Sequence, residues 1–403
     1  MKKIAFKGIG INIILLGIVS FLNDASSEMI MPILPLFITS LGGTALIIGL
    51  VGGIRDSISS LLKVVFGYWS DKTGKRKIFV FSGYLTSALF KLLLSFSFIW
   101  HHVLLFSGLE RVGKGIRTAP RDAIIADSMP KNRGKGFGIH RSLDTAGAIL
   151  GSVIVFLLIW FVAVDFNMII LIAAIIAFFS LIPLLLVKET RGKTQKISFK
   201  VSLKTLPKPL KSFLIISSIF SLANFSYMFF ILKTMTYFTG TWSVAAPILL
   251  YILFNIFYAI FAIPFGVLSD KIGRKKVLIL GYLLFSITTL GFAFFCSLAG
   301  FVVLFILYGI VYAIIDGNQR ALVADLSTEK LRSTALGTYH TVTGLIALPS
   351  SLIAGLLWET INPTITFLYG CVVSLLAVLV FLLFKNTLNE HSLKIKNEAS
   401  LES

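Results

Sequence analysis

The chain reads as a succession of long apolar runs separated by short polar or glycine-containing breaks. Crossing about 30 Å of hydrocarbon takes roughly 20 residues at a rise of 1.5 Å each. Twelve runs reach that length, over residues 8–36, 44–68, 78–100, 102–128, 137–163, 166–187, 212–238, 244–268, 277–298, 301–325, 336–358 and 363–385. The pattern predicts an all-α membrane protein with twelve transmembrane helices.

Composition supports that class. Of 403 residues, 56% are apolar and only 14% charged, where a soluble domain carries about 25% charge. Ordinary soluble, disordered, collagen-like and disulfide-rich secreted chains are excluded. The 36 Phe against 5 Trp suit a lipid-facing surface. Cys296 and Cys371 lie in apolar runs without metal or redox spacing, so no metal site and no cofactor is expected.

The formal net charge of +19 is explained by where the basic residues fall. Of 37 Lys and Arg, 27 lie before span 1, after span 12, or in every second connection, and the alternate connections carry none. The positive-inside rule then places both termini and the central connection in the cytoplasm of an inner (plasma) membrane protein. The partner implied by this basicity is the lipid bilayer, not nucleic acid. Lys2, Lys3 and the run Ile9–Leu22 imitate a signal peptide, but Asp24 and Glu28 lead into a further apolar run ending at Phe37, so the segment is expected to remain as span 1.

The chain repeats itself. Gly67-Tyr-Trp-Ser-Asp71-Lys-Thr-Gly74-Lys-Arg-Lys77 returns as Gly266-Val-Leu-Ser-Asp270-Lys-Ile-Gly273-Arg-Lys-Lys276, at an offset of 199. Gly83-Tyr84-Leu85 returns as Gly281-Tyr282-Leu283, and Ala123-Ile-Ile-Ala-Asp127 as Ala321-Leu-Val-Ala-Asp325, both at 198. Two six-span halves follow, residues 1–187 and 212–387, joined by a basic linker at 188–211 whose Pro207 and Pro209 disfavour a continuous helix, with a cytoplasmic tail at 388–403.

The doubled motif resembles the signature of the major facilitator superfamily, and Arg111-Val-Gly-Lys114-Gly115-Ile-Arg117 in span 4 is similar to a second one. The chain looks like a bacterial, drug–proton-antiporter-like branch. Gly147 and Gly151 supply part of the antiporter signature of span 5, without its Gly-Pro pair. The resemblance implies two pseudo-symmetric six-helix bundles, alternating access, and a central cavity lined by spans 1 and 4 of each half. It also implies that Gly67, Asp71, Gly74 and Arg76, with Gly266, Asp270, Gly273 and Arg274, form gating contacts. Physically, Gly67 and Gly266 permit close helix packing, and Asp71 and Asp270 can cap backbone N–H groups or pair with a cation; topology and capping alone would also account for the motif.

Ten basic residues remain inside the spans: Arg55, Lys63, Lys91, Arg111, Lys114, Arg117, Arg121, Arg141, Lys233 and Arg320. Each costs about 2.5–3.5 kcal/mol at a helix centre unless it finds a partner or water. Acids are available in Asp24, Glu28, Asp56, Glu110, Asp122 and Asp144 of the first half, whereas the second half offers Asp316. Where span 2 has Arg55 and Asp56, span 8 has Phe254 and Asn255; where span 1 has Asp24, span 7 has Asn224. The first half is therefore expected to handle the ion, with Asp24 and Glu28 as proton sites and Arg111, Lys114, Arg117, Arg55 and Asp56 as charge partners. Asn224, Tyr227, Asn255, Asp316, Asn318 and Gln319 are candidate substrate contacts. Glu110, Lys114, Arg117 and Arg121 fall on one stripe of span 4. Arg55 with Asp56, and Arg141 with Asp144, can alternatively neutralise each other as static pairs. His140 and His340 suit packing, and His101-His102 lacks further ligands. Gly108 to Lys114 imitates a phosphate-binding loop, but Gly115 stands where Ser or Thr should hold magnesium, and the stretch is intramembrane.

The expectation is a monomeric, non-enzymatic secondary transporter that exports a small organic solute against protons. Uptake or symport of an anionic metabolite or siderophore is the alternative within transport, and a non-transporting scaffold or sensor is the alternative outside it.

Overall fold

A computed structural model describes residues 10–129, 133–189, 206–327 and 332–384. The tail at 388–403, most of the linker at 188–211, and Lys2, Lys3 and Lys7 lie outside the described residues. Among those described, the helices are α1 (Ile11–Ile30), α2 (Leu34–Ser40), α3 (Ala45–Thr73), α4 (Lys77–Leu94), α5 (Trp100–Ser128), α6 (Arg133–Val162), α7 (Phe166–Phe179), α8 (Leu181–Leu186), α9 (Lys208–Ala223), α10 (Met228–Met235), α11 (Trp242–Ile272), α12 (Arg274–Phe294), α13 (Leu298–Asp325), α14 (Arg332–Thr360) and α15 (Pro363–Leu383).

Among the described residues, eleven segments are long and apolar enough to span a membrane, three of them by joining α1 to α2, α7 to α8 and α9 to α10. The twelfth predicted span is α5, which has the length at 29 residues but carries too many charges to pass as apolar. Large apolar side chains such as Ile263 (77% exposed) and Phe161 (72%) point outward, as bilayer-facing residues must. Helices satisfy their own backbone polar groups, which is what hydrocarbon demands.

Three spans expected to be continuous are interrupted, and local chemistry says why. Pro32 has no backbone N–H to donate, so the helical hydrogen-bond ladder of span 1 breaks between Ile30 and Leu34, although Met31 itself keeps right-handed helical geometry. Span 6 breaks at Ser180, three residues before Pro183. Span 7 breaks at Asn224–Tyr227 without a proline; the freed Ser226 N–H donates to Ser351 Oγ at 3.1 Å instead.

The chain divides into two compact units. The first holds the described residues of Met1–Thr44, Ile54–Phe199 and Phe238–Ile252; the second holds those of Ala45–Gly53, Lys200–Tyr237 and Leu253–Ser403. Each unit thus includes a short stretch from the other sequence half, and the repeat offset of 199 relates the two stretches. Within the first unit an apolar core gathers Ile13, Leu16, Val19, Val80, Tyr84, Ile124, Leu181 and Leu184. Glycine seams set its helix spacings. A Cβ at Gly147 or Gly151 of α6 would collide with the Phe21 or Ala25 carbonyl oxygen of α1, and one at Gly83 of α4 would stand 2.7 Å from the Gly113 oxygen of α5.

Candidate functional site

The charged residues of the first unit sort themselves into buried and accessible groups. Glu110 (3% exposed) sits on α5 beside Arg111, whose Nε lies 3.2 Å from its Oε2, and Arg55 of α3 approaches the same oxygen at 3.7 Å. Arg55 therefore faces Glu110 and not its sequence neighbour Asp56, which is exposed. The Nη2 groups of both arginines also reach Met31 Sδ, at 3.4 and 3.0 Å. Lys91 of α4 donates to Ser26 Oγ at 2.8 Å and Ser27 Oγ at 2.9 Å, both on α1. A cavity of about 10 Å³ lies among Ser27, Arg55, Lys91 and Glu110, with room for about one water and for no organic solute.

The expected stripe on α5 divides. Arg117 is buried, donates to Ser87 Oγ at 2.6 Å, and holds its guanidinium 4.4 Å from the centre of the Tyr84 ring, because the Gly83–Gly113 seam draws α4 onto α5. Lys114 is exposed. Arg121 pairs with Asp122 at 2.9 Å.

Asp24, half-buried on α1, accepts from Asn23 Nδ2 at 3.2 Å. Its carboxyl and that of Asp144 on α6 interact electrostatically across the α1–α6 contact. Ser20 Oγ donates to Asp144 Oδ1 at 2.6 Å, and Arg141 pairs with Oδ2 at 2.7 Å. Two neighbouring carboxylates repel each other, so a pair of this kind favours sharing one proton. The Arg141–Asp144 pair that sequence spacing suggests does form, but Asp144 has a second partner that spacing could not show, since α1 and α6 are 124 residues apart at this contact. Glu28, one turn beyond Asp24, accepts from Tyr251 Oη at 2.8 Å, inside the same unit.

In the second unit, Asp316 accepts from Tyr258 Oη at 2.9 Å and pairs with Arg320 at 2.5 Å. Asn224 accepts from Tyr312 Oη at 3.4 Å and, with Tyr227, flanks the break in span 7. Asn255 is half-buried. Asn318 and Gln319 turn inward: Asn318 donates to the Ile314 carbonyl, while Gln319 donates to Tyr282 Oη at 2.7 Å and accepts from Tyr339 Oη at 2.6 Å. Both serve helix packing.

The doubled loop motifs form two equivalent triads. Arg76 pairs with Asp127 and lies 3.9 Å from Asp71; Arg274 pairs with Asp325 at 2.5 Å and with Asp270 at 3.3 Å. By motif register Arg274 corresponds to Lys75, yet it does the work of Arg76. The change of offset from 199 to 198 falls between the left-handed Gly74 and Arg76, where the first copy has one residue more. Asp127 and Asp325 are the members that motif reading missed, although the repeat itself marked them. Close packing applies to Gly67, where a Cβ would meet Ala119 Cβ at 3.1 Å, but not to Gly266, which has nothing within 4 Å. Because Arg76 is 11% exposed at its side chain and Arg274 27%, Arg76→Ala should cost about 1–2 kcal/mol and Arg274→Ala less than about 1. Thermal unfolding in detergent measures both, and equal losses would contradict the burial argument.

A family model described as the Major Facilitator Superfamily matches this chain twice, over residues 16–246 and 213–402, one match on each half. The chain belongs to the Major Facilitator Superfamily. It is a multi-pass protein of the cell membrane and a secondary transporter, not an enzyme. An uncharacterized MFS-type transporter of Methanocaldococcus jannaschii is 59% identical over 375 residues, which are 92% of this chain and 94% of the relative. This strong match is archaeal. A bacterial relative, the multidrug resistance protein MdtG of Rahnella sp., is 30% identical over 36% of each chain. The crystal structure of the nucleoside transporter NupG superposes with a TM-score of 0.78 over 92% of this chain and 98% of that one, at 15% identity, a likeness of fold alone.

Proposed function

We propose that the chain exports a small organic solute in exchange for protons, by alternating access. The observation that carries this reading is the placing of two acids, Asp24 on α1 and Asp144 on α6, beside each other in the first unit, where they can share one proton. Asp24 is the only one of the two that is half-buried rather than buried, so it is the side from which the proton enters and leaves. Glu28 is the second proton site, and Arg111, Arg117 and Lys114 set the field around both. Arg55 acts through Glu110, and Asp56 adds negative charge near the accessible surface. Asp71, Arg76 and Asp127, with Asp270, Arg274 and Asp325, form cytoplasmic latches, with Gly74 and Gly273 providing the turns.

Asp24 and Glu28 are half-buried and Asp56 exposed, against the accessible cations Lys114 and Arg141, of which Arg141 is already paired with Asp144; this fits a neutral or cationic solute better than an anionic one. Asn224, Tyr227, Asn255 and Asp316 supply polar contacts for it. Inside-out proteoliposomes with an acidic lumen test the reading with a panel of lipophilic cations, neutral solutes and organic anions. The expected result is accumulation of a cation or neutral solute together with loss of the proton gradient. Accumulation of anions alone, or solute movement without proton flux, would overturn it.

A further inference from the structure

We propose that Tyr251 couples the charge of Glu28 to the hold of the outer end of α11, so that proton uptake at Glu28 releases that end. The inference rests on the proton-coupled reading and adds the device by which the proton acts on conformation.

The two stretches exchanged between the units are the starting point. Residues 45–53 open α3 and residues 238–252 include the start of α11, and the repeat brings residue 45 onto 244 and 53 onto 252. By charge distribution both lie toward the outer face. In the second unit the α3 stretch is held by backbone contact. A Cβ at Gly49 would collide with the Ser351 oxygen, one at Gly52 with Ser226 Oγ, and one at Gly53 would stand 2.8 Å from Leu348 Cα. Those three glycine contacts are uncharged; the carboxylate at this stretch, Glu359, accepts only from the backbone N–H of Leu46, at 3.2 Å and in an exposed position.

In the first unit the equivalent positions on α11 are Ile248, Tyr251 and Ile252, all buried. Where α3 has Gly52, α11 has Tyr251, which donates to Glu28 Oε2 at 2.8 Å. Trp242, at the start of α11, packs against Trp160 of α6 with ring centres 4.9 Å apart. Thus one of two repeat-related clasps has exchanged a glycine for a hydroxyl aimed at a carboxylate. The charged groups acting on Glu28 are Arg111 and Lys114 from α5 and Asp144 from α6, besides Asp24 one turn away on α1.

A phenol donates a shorter and stronger hydrogen bond to a carboxylate than to a carboxylic acid. Protonating Glu28 therefore loosens the clasp, and by linkage closing the clasp expels the proton. A proton taken up while the outer end is free and shed once it is held moves inward, the direction that drives export.

The test places a single reporter cysteine at Ala245, which is fully buried, in a Cys296→Ser, Cys371→Ser background. The rate of labelling by an impermeant maleimide from outside is divided at each pH by that of the exposed Cys296 in the native chain, which removes the thiol's own pH dependence. The unmodified clasp should label faster as the pH falls. Tyr251→Phe should label about tenfold faster, the factor equal to 1.4 kcal/mol, with the pH dependence lost. Glu28→Gln breaks the charge-assisted bond from the other side, should behave alike, and guards against a misfolded Tyr251 variant. Labelling of both variants at the native rate with the native pH dependence would overturn the proposal, and so would a native clasp indifferent to pH. Proton-linked solute flux in the same vesicles is read separately. Its absence would overturn the export reading while leaving the labelling result to stand on its own.

Discussion

Glu110→Gln should destabilise the protein by about 3–5 kcal/mol, the cost of leaving buried charge without its partner. Arg55 and Arg111 are 4% and 6% exposed and both direct a guanidinium nitrogen at Glu110 Oε2. With that carboxylate neutralised, two cations remain in a water-poor interior, where the adjoining cavity of about 10 Å³ cannot admit the water needed to solvate them. Asp56→Asn is the matched control. Asp56 follows Arg55 in sequence but is exposed, and its loss should cost less than about 0.5 kcal/mol. Replacing Arg55 and Arg111 by Gln together with Glu110→Gln should restore much of the stability, since it is the uncompensated charge that is costly. Denaturation in detergent micelles ranks the variants. A Glu110→Gln protein as stable as Asp56→Asn would show that Glu110 does not carry the burial of the two arginines.

Asp24→Asn should reduce gradient-driven transport at least about tenfold while leaving energy-independent solute exchange in place, the tenfold corresponding to about 1.4 kcal/mol of lost coupling. An asparagine amide donates to the remaining Asp144 carboxylate without any titrating proton, so the α1–α6 contact survives and the proton site does not. Asp144→Asn should fail in the same way for the same reason. Because the two residues share one proton, the double variant should be no worse than either single one. Proton uptake by the purified protein, measured with a pH dye across a jump in pH, should fall by the same amount in all three. Additive losses in the double variant, or proton uptake equal to that of the parent, would remove the shared proton from the mechanism.

The misses in the sequence reading concern partners rather than positions. Hydropathy located α5 as a span even though its charges make it the least apolar of the twelve, and the same charges marked it as a candidate for the site. Spacing correctly paired Arg141 with Asp144, three residues apart on one helix. It offered Arg55 with Asp56 as an alternative static pair, whereas adjacent residues on a helix point about 100° apart and Arg55 meets Glu110 from another helix. Asn318 and Gln319 looked like cavity residues by their polarity and are consumed by packing against Ile314, Tyr282 and Tyr339. The repeat was legible, and its change of offset became a one-residue loop difference that keeps Arg76 and Arg274 equivalent.

Desolvation is additive along a chain, so the sequence by itself determined the number of spans, their sidedness, the twofold repeat and the concentration of charge in the first half. Which carboxylate meets which donor depends on how closely two helices approach and how each is rotated, to within a fraction of a turn. Those quantities were decided only in three dimensions, where Gly147 and Gly151 let α1 and α6 touch backbone to backbone and bring Asp144 of α6 to Ser20 of α1. The meeting of Tyr251 with Glu28, 223 residues away, is of the same kind: a contact that no local pattern encodes, because neither residue constrains the other until the helices are packed.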